Sequence, residues 1–538
     1  MEKGREKSDG RVVPQGGRKA VPTEGVARGG KATTVSNEVR QLGLFSETAD
    51  SPRGADGGAD RGQPRSATRA VPKSEDGTGR APPAMTMTEV ANEENLRRAF
   101  DQVASNDGAP GPDRQSVDEV RERLQAVLHV LKRELLEGTY QPGFIRRVWI
   151  PKAGGGQRGL GIPNVVDRVV QQAVLQVLGP HYDPTFHGSS HGFRPGRSCH
   201  TAIAEAREHL EEGLGWVVDL DLEKFFDRVN HDRLMSRLEQ RIEDPKLLRL
   251  IRRMLKAKVV MPEGVVVSTE EGTPQGGPLS PLLSNIVLDE LDAELSRRGH
   301  RFVRYADDCN IYVRSERAGQ RVMASVVRFI ERKLKLKVNA AKSAVARPQD
   351  RHFLGFSLRR EPTDGVVEVV LSKRSRDRIY ERIRELTPRT WGQPLRSCIL
   401  ELRRYLLGWL QFFRICTSDV AYTLIAIDGH IRRRLRAILL KQWKRRRTIV
   451  RRLAKLRVKA STAAQVVYRG HRSTWRLANN PVIVQTLGVR YFTDQGLPSI
   501  AESWRALNPT LAIAPTQLAL RLGWLAEEPD VRPTSPVL

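Results

Sequence analysis

Only four cysteines occur in the 538 residues, Cys199, Cys309, Cys398 and Cys416, and no two are spaced C-x-x-C. That excludes a disulfide framework and an ordinary zinc knuckle. Nor do His181, His187, His191, Cys199 and His200 stand at the intervals of a zinc finger. No apolar run approaches the roughly 20 residues that a membrane span requires. The opening Met1-Glu-Lys-Gly-Arg-Glu-Lys has no apolar core for secretion. A reducing, cytoplasmic setting with no membrane partner is the expectation. Acids are scarce beside bases, 62 Asp and Glu against 90 Lys and Arg, for a formal charge of +28. This imbalance points to a polyanionic partner, because neutralising phosphates releases condensed counterions. It is sharpest between Asp428 and Asp494, where no Asp or Glu occurs at all.

Residues 1–85 are rich in Gly, Ser, Pro, Arg and Asp and poor in apolar side chains. Such a segment cannot offset the entropy of ordering and is expected to be a disordered extension. Helical patterning follows from Thr88 to Phe100 and from Ser116 to Glu137, with the Gly/Pro-rich Asn106-Asp-Gly-Ala-Pro-Gly-Pro-Asp113 as the loop between. Strand and helix patterns then mix as far as Phe353-Leu-Gly-Phe356, and beyond Ser372 the chain reads as mostly helical and basic. In the stretch from Ile431 to Arg447, Leu435, Ile438, Leu439 and Trp443 recur at helical spacing. The pattern predicts an amphipathic helix presenting Arg432, Arg433, Arg434, Arg436, Lys441 and Lys444 to phosphates.

What acids there are fall into a pattern. In Gly215-Trp-Val-Val-Asp219-Leu-Asp221-Leu-Glu223, alternation places Trp216, Val218, Leu220 and Leu222 on one face and Val217, Asp219, Asp221 and Glu223 on the other. Downstream, Tyr305-Ala-Asp307-Asp308 breaks two strand-like runs. An acidic pair in a turn is also what a solvated hairpin looks like. Together with the acidic strand, however, it can furnish a site for two Mg2+ ions, which favour a few hard carboxylate oxygens. Such a pair activates a hydroxyl and neutralises a leaving pyrophosphate. Asp221 and Asp307 are the main candidate ligands, with Asp308 close behind.

Other segments supply cations and small residues. Ile150-Pro-Lys152-Ala-Gly-Gly-Gly-Gln-Arg158 sets two cations around a Gly-rich turn, where Lys152 and Arg158 can contact a triphosphate. Gly272-Thr-Pro-Gln275-Gly-Gly-Pro runs into an apolar helix, and its small residues let a nascent base pair lie near Gln275. Arg194 and Arg197, in Gly192-Phe-Arg-Pro-Gly-Arg197, suit a phosphate- or template-contacting loop. Lys342 is a candidate to protonate the departing pyrophosphate.

Taken in order, Asn106–Asp113, Ile150-Pro-Lys, Arg158-Gly-Leu-Gly-Ile-Pro, Gly192-Phe-Arg-Pro-Gly-Arg-Ser, Asp221-Leu-Glu-Lys-Phe-Phe-Asp227, Thr273-Pro-Gln-Gly-Gly-Pro-Leu-Ser-Pro, Tyr305-Ala-Asp-Asp and Phe353-Leu-Gly-Phe resemble the successive blocks of bacterial group II intron reverse transcriptases. Tyr405-Leu-Leu-Gly-Trp-Leu-Gln-Phe-Phe and Lys441-Gln-Trp-Lys resemble their maturase, or thumb, domain. The resemblance implies an α+β right-hand polymerase. Fingers and palm would occupy 86–360, a helical thumb and maturase domain 361–455, a basic DNA-binding-like region 456–505 and a tail 506–538. It implies RNA-templated DNA synthesis from dNTPs on a DNA primer, binding of the parent intron RNA to promote splicing, and retrohoming into target DNA. It also implies that the Leu222 carbonyl joins the metal ligands, and that Phe226 excludes a 2′ hydroxyl, which disfavours an RNA-dependent RNA polymerase. Many mobile members end in a metal-dependent endonuclease with histidines and paired cysteines. Nothing after Thr493 supplies these, so an existing 3′ end is the expected primer. A host role in defence or repair, and a splicing-only RNA-binding maturase, are the alternatives.

Overall fold

The computed structural model describes residues 83–509, except 152–155, 274, 362–364, 389, 391, 418–419 and 470–472. The expected disordered extension and the tail therefore lie almost wholly outside the described residues, as does Lys152. Among the described residues, no helix is long and apolar enough to cross a membrane.

Local signals set the first helices. The helix expected from Thr88 is split: a single turn, Met87–Val90, ends at Ala91. The Asn92 side chain then accepts from the backbone N–H groups of Glu94 and Asn95 and starts α1 (Glu93–Ser105). Asn competes with helix continuation by making such local bonds, and it caps the helix that follows. Helix α2 (Leu124–Glu137) stops at Gly138, whose φ of 76° lies in the left-handed region. Helix α3 (Val165–Tyr182) is buried on most sides, Asp167, Arg168 and Gln171 as well as Val165, Val169, Val170, Ala173, Val174, Val177 and Leu178, and forms the axis of this lobe. Beside it stands a sheet of order β2-β1-β4-β5, comprising β1 (Ile145–Pro151), β2 (Gln157–Ile162), β4 (Val259–Val260) and β5 (Val266–Val267).

A second sheet, of order β6-β7-β3-β8, is antiparallel throughout. Its strands are β3 (Trp216–Asp221), β6 (Arg301–Tyr305), β7 (Asp308–Val313) and β8 (Ala344–Ala346). The alternation read in β3 is present: Val218, Leu220 and Leu222 enter one core, with α5 (Ser280–Arg297) and α3, while Asp219 and Asp221 lie on the other face. Val217, on the acidic face, is also buried, in a second core with α4 (Cys199–Glu211) and Tyr312. Apolar material thus backs the sheet on both sides at one end. At the other end, where β3 stops and β7 begins, Leu220 and Leu222 keep one face apolar and acids occupy the other face of β3.

After the hairpin β9 (Phe356–Arg360) and β10 (Val367–Leu371), the chain is helical: α6 (Lys373–Leu386), α7 (Leu395–Phe413), α8 (Val420–Gln442), α9 (Arg446–Lys455), α10 (Ala460–Arg469) and α11 (Ile500–Leu507). The second core runs unbroken from Val217 through Leu406, Leu435, Leu453 and Val467 to Trp504. Residues 456–505 share that core and do not build one of their own. Asp428, the last acid before the acid-free stretch, accepts from Ser499 Oγ (2.7 Å) and from the backbone N–H groups of Ile500 and Ala501, so it caps α11.

Candidate active site

Strand β3 ends on Asp221 and β7 begins on Asp308, and these two residues are direct cross-strand partners. Tyr305 pairs with Asp308, so Ala306 and Asp307 form a two-residue hairpin loop. Register therefore brings Asp221, Asp307 and Asp308 to one end of the sheet. Ala306 carries a φ of 57°, a left-handed conformation that costs any residue with a Cβ and must be held by its surroundings.

The turn is held from behind. Arg304, wholly buried, uses its guanidinium fork on five acceptors: Asp292 Oδ1 (2.7 Å), Asp292 Oδ2 (2.6 Å), Asn285 Oδ1 (3.0 Å), Ser190 Oγ (2.7 Å) and the carbonyl of Ala306 (2.9 Å). Gly192 lies against the same turn so closely that a Cβ there would meet the Ala306 nitrogen at 2.3 Å. Asn285 Nδ2 donates to the Gly192 carbonyl (2.8 Å) and completes the brace. Sequence reading missed Arg304, Asn285 and Asp292. The available signal was a charged residue on the inward face of each element, Arg304 beside Phe302 and Asp292 beside Leu291 and Leu295.

The acids are crowded. Asp308 keeps an exposed edge, but the protein around it, followed by Asp307, Asp219 and Asp221, pushes its carboxyl up to about 7. Burial likewise raises Asp307, with Asp221 adding to the rise and the positive charges of Arg158 and Lys342 opposing it. Asp219 is raised by burial and countered by Arg351. Lys342 Nζ sits 3.2 Å from Asp221 Oδ2. Among the described residues, no group of three or more His, Cys, Asp and Glu converges as a ready metal cage. Magnesium does not need one, since it takes one or two carboxylates and fills its shell with water and substrate phosphates. Acids that raise one another's proton affinity, with few cations between them, fit divalent cations.

Three distant loops meet beside the acids. Phe226 is half-buried in the turn Phe225–Asp227, edge-on to Phe225 at 5.3 Å. Thr273 N donates to the Phe226 carbonyl (2.6 Å), and a Cβ on Gly272 would strike that carbonyl at 2.8 Å. Gly161 N donates to the Gln275 carbonyl (2.7 Å), which joins this loop to β2 and to exposed Arg158. The Leu222 side chain is buried, and the residue bridges to Val338.

Residues 150–358 match the family described as reverse transcriptase (RNA-dependent DNA polymerase), and residues 376–455 match the group II intron maturase-specific domain. YkfC of Escherichia coli strain K12 is 34% identical over 313 residues, spanning 51% of this chain and 82% of YkfC. The chain belongs to the group II intron reverse transcriptase and maturase family. The group II intron-encoded protein LtrA of Lactococcus lactis subsp. cremoris is 31% identical over 304 residues, covering 44% of this chain and 50% of LtrA. A telomerase structure from Candida albicans superposes with a TM-score of 0.35 at 14% identity, over 62% of this chain and 65% of that one, too loosely to carry an argument.

The expected nucleic-acid contacts of this reverse transcriptase differ in exposure. Arg194 is folded inward, donating to Asp183 Oδ1 (2.7 Å), to the Asp183 carbonyl (2.8 Å) and to the carbonyls of His187 and Ser190. Arg197 remains partly exposed, with one bond to the Gly188 carbonyl. Helix α8 is buried on more than one face: Arg434, Leu435, Arg436, Ala437, Ile438, Leu439 and Leu440 are all interior. Arg434 donates to Thr387 Oγ1 (2.5 Å) and the Thr387 carbonyl (2.6 Å); Arg436 donates to the Ala478 carbonyl (2.7 Å). Burial, then Arg432 and Arg433, lowers Arg436 to about 10. Arg433 lies over the Trp475 ring at 4.2 Å, and Arg432 is half-exposed. Lys441 and Lys444 are exposed. Arg194, Arg434 and Arg436 thus spend their guanidinium groups largely on backbone carbonyls at neighbouring turns and helix ends instead of presenting them to solvent.

Proposed function

We propose that this chain copies RNA into DNA from a primer 3′ end at the junction of β3 and β7, and that it does so for a group II intron whose RNA it also binds to promote splicing. The observation that carries the reading is the cross-strand pairing of Asp221 with Asp308, with Asp307 in the adjoining turn. Asp221, Asp307 and Asp308, with the Leu222 carbonyl, would hold two Mg2+ ions. When bound, such a pair makes the primer hydroxyl nucleophilic and neutralises the pyrophosphate as it leaves.

Lys342, already beside Asp221, supplies a proton to the pyrophosphate oxygen. Arg158 steadies the triphosphate, with Lys152 assigned the same role from sequence alone. Phe226 takes the position that closes the sugar site against a 2′ hydroxyl, and Gln275 lies where the incoming base pairs. Lys441, Lys444, Arg432 and Arg197 are the cations proposed to meet the phosphates of intron RNA, of the template–primer duplex and of target DNA, with Arg433, stacked on Trp475, beside them. The match to a maturase-specific domain supports the splicing role and retrohoming by target-primed synthesis. The four cysteines, all free and buried, suit a reducing cytoplasm.

Primer extension on poly(rA) annealed to oligo(dT), with magnesium and dTTP, tests the reading. Extension by the wild type that vanishes in Asp307→Ala is the expected result. A folded wild type that binds structured RNA tightly but adds no nucleotide would leave only the splicing role.

A further inference from the structure

On the acidic face of β3, Asp219 and Asp221 are two residues apart, or roughly 7 Å along the strand. Each carries one cation. Lys342 pairs with Asp221 (3.2 Å) and Arg351 with Asp219 (2.6 Å), as two parallel rungs. The rungs are unequal. Lys342 is a long side chain, 61% exposed, and its ammonium stands 3.2 and 3.4 Å from the two oxygens of its carboxylate. Left to itself, such a chain samples many rotamers. The Asp219 side chain is 19% exposed, and Arg351 meets it through both Nε (2.8 Å) and Nη2. The same Nη2 donates to the backbone carbonyl of Lys342 (2.5 Å).

Arg351 therefore ties β3 to the root of the Lys342 side chain. The segment is also stitched to β3 through Asn339 N on the Asp221 carbonyl (2.9 Å), through Asp221 N on Ser343 Oγ (3.0 Å) and through the β8 ladder, which begins at Ala344 opposite Asp219. None of these touches the Lys342 carbonyl.

We propose that Arg351, anchored by Asp219, is a positioning residue that fixes where the Lys342 ammonium stands over the acid cluster. The proposal rests on the reading of Lys342 as the proton donor. The reach of the guanidinium is what matters: Nε and Nη2 both rest on Asp219, and the outer Nη2 also meets the carbonyl. A lysine at position 351 would end about where the guanidinium carbon stands, one bond short of Nη2, so its ammonium keeps the ion pair with Asp219 but falls short of the carbonyl.

The test is a double-mutant cycle in single-turnover dTTP addition to oligo(dT) on poly(rA), reading the maximal rate and the half-saturating dTTP concentration separately. Lys342→Ala should lose roughly 100-fold in rate, the lower range for a general acid. Arg351→Gln should lose on the order of 10-fold, as expected of a slightly misplaced group, with half-saturation unchanged. In the Lys342→Ala background, Arg351→Gln should cost less than about twofold, because the two act as one unit. Arg351→Lys, the gentler change should Arg351→Gln fold poorly, should show the same rate loss at wild-type thermal stability. Losses that multiply in full, a change confined to half-saturation, or full activity in Arg351→Lys would each overturn the assignment. Wild-type rates in Lys342→Ala alone would instead remove the proton-donor reading, and the positioning role with it.

Discussion

The acid cluster of the palm and the arginines of α8 are both runs of like charge, and the fold treats them in opposite ways. Around Asp307 and Asp308 the protein supplies few cations, and burial with mutual repulsion drives the Asp308 carboxyl to about 7. Along α8 it supplies backbone acceptors, and Arg434 and Arg436 donate to carbonyls from three separate segments, those of Thr387, Ala478 and Leu487. A like-charge cluster that the fold leaves strained is poised for a ligand of opposite charge. One that it satisfies is part of the scaffold.

The comparison is sharpest under substitution. Asp308→Asn should cut primer extension by on the order of 1000-fold, as loss of a key electrostatic group does, while the melting temperature stays level or rises because repulsion is relieved. A melting point lowered by several degrees would show the acids to be structural. Arg436→Met should behave inversely. Removing its hydrogen bonds to buried carbonyls should cost about 1–3 kcal/mol in urea denaturation, with RNA affinity unchanged for the folded protein.

Protonation separates the two clusters next. The folded carboxyl of Asp308, at about 7, stands above an unfolded value of about 3.9. The folded state therefore holds the extra proton between these values, and this contribution to stability is complete below the unfolded value and lost as pH rises through the folded one. Melting of the metal-free protein should fall from pH 5 to pH 8, as followed by scanning fluorimetry in chelator, and Asp308→Asn should flatten the slope. Arg436, at about 10, adds nothing in that window. The smallest effect belongs to the exposed cations. Lys441→Ala with Lys444→Ala should change stability by no more than about 0.5 kcal/mol. The same pair should make the salt dependence of RNA affinity shallower, by about 0.7 for each phosphate that is no longer neutralised.

How far each cluster was legible in the sequence follows from the range of its interactions. Period-two alternation in β3 and the break at Tyr305-Ala-Asp-Asp are local signals, and they led directly to the paired acids. The fate of Arg434 and Arg436 depends on Thr387, Ala478 and Leu487, more than forty positions away in either direction. A helical basic run gives no local sign that several of its faces will be covered. Arg304 was hidden for the same reason, since one of its acceptors, Ser190, lies 114 positions upstream. Arg194 looked like a phosphate contact because its neighbours are turn residues, yet those turns expose the carbonyls that capture it.

The close approach of Gly192 to the Ala306 nitrogen also sets a mechanical tolerance. The turn bearing Asp307 rests directly on peptide backbone, with no side chain between to act as a cushion. One methyl group at position 192 is a shim of known thickness. Inserted there, it forces the hairpin tip off its seat and shifts the turn's carboxylates relative to β3 without altering any of them. The spacing of this polymerase's acids is thus gauged by a residue with no chemistry of its own.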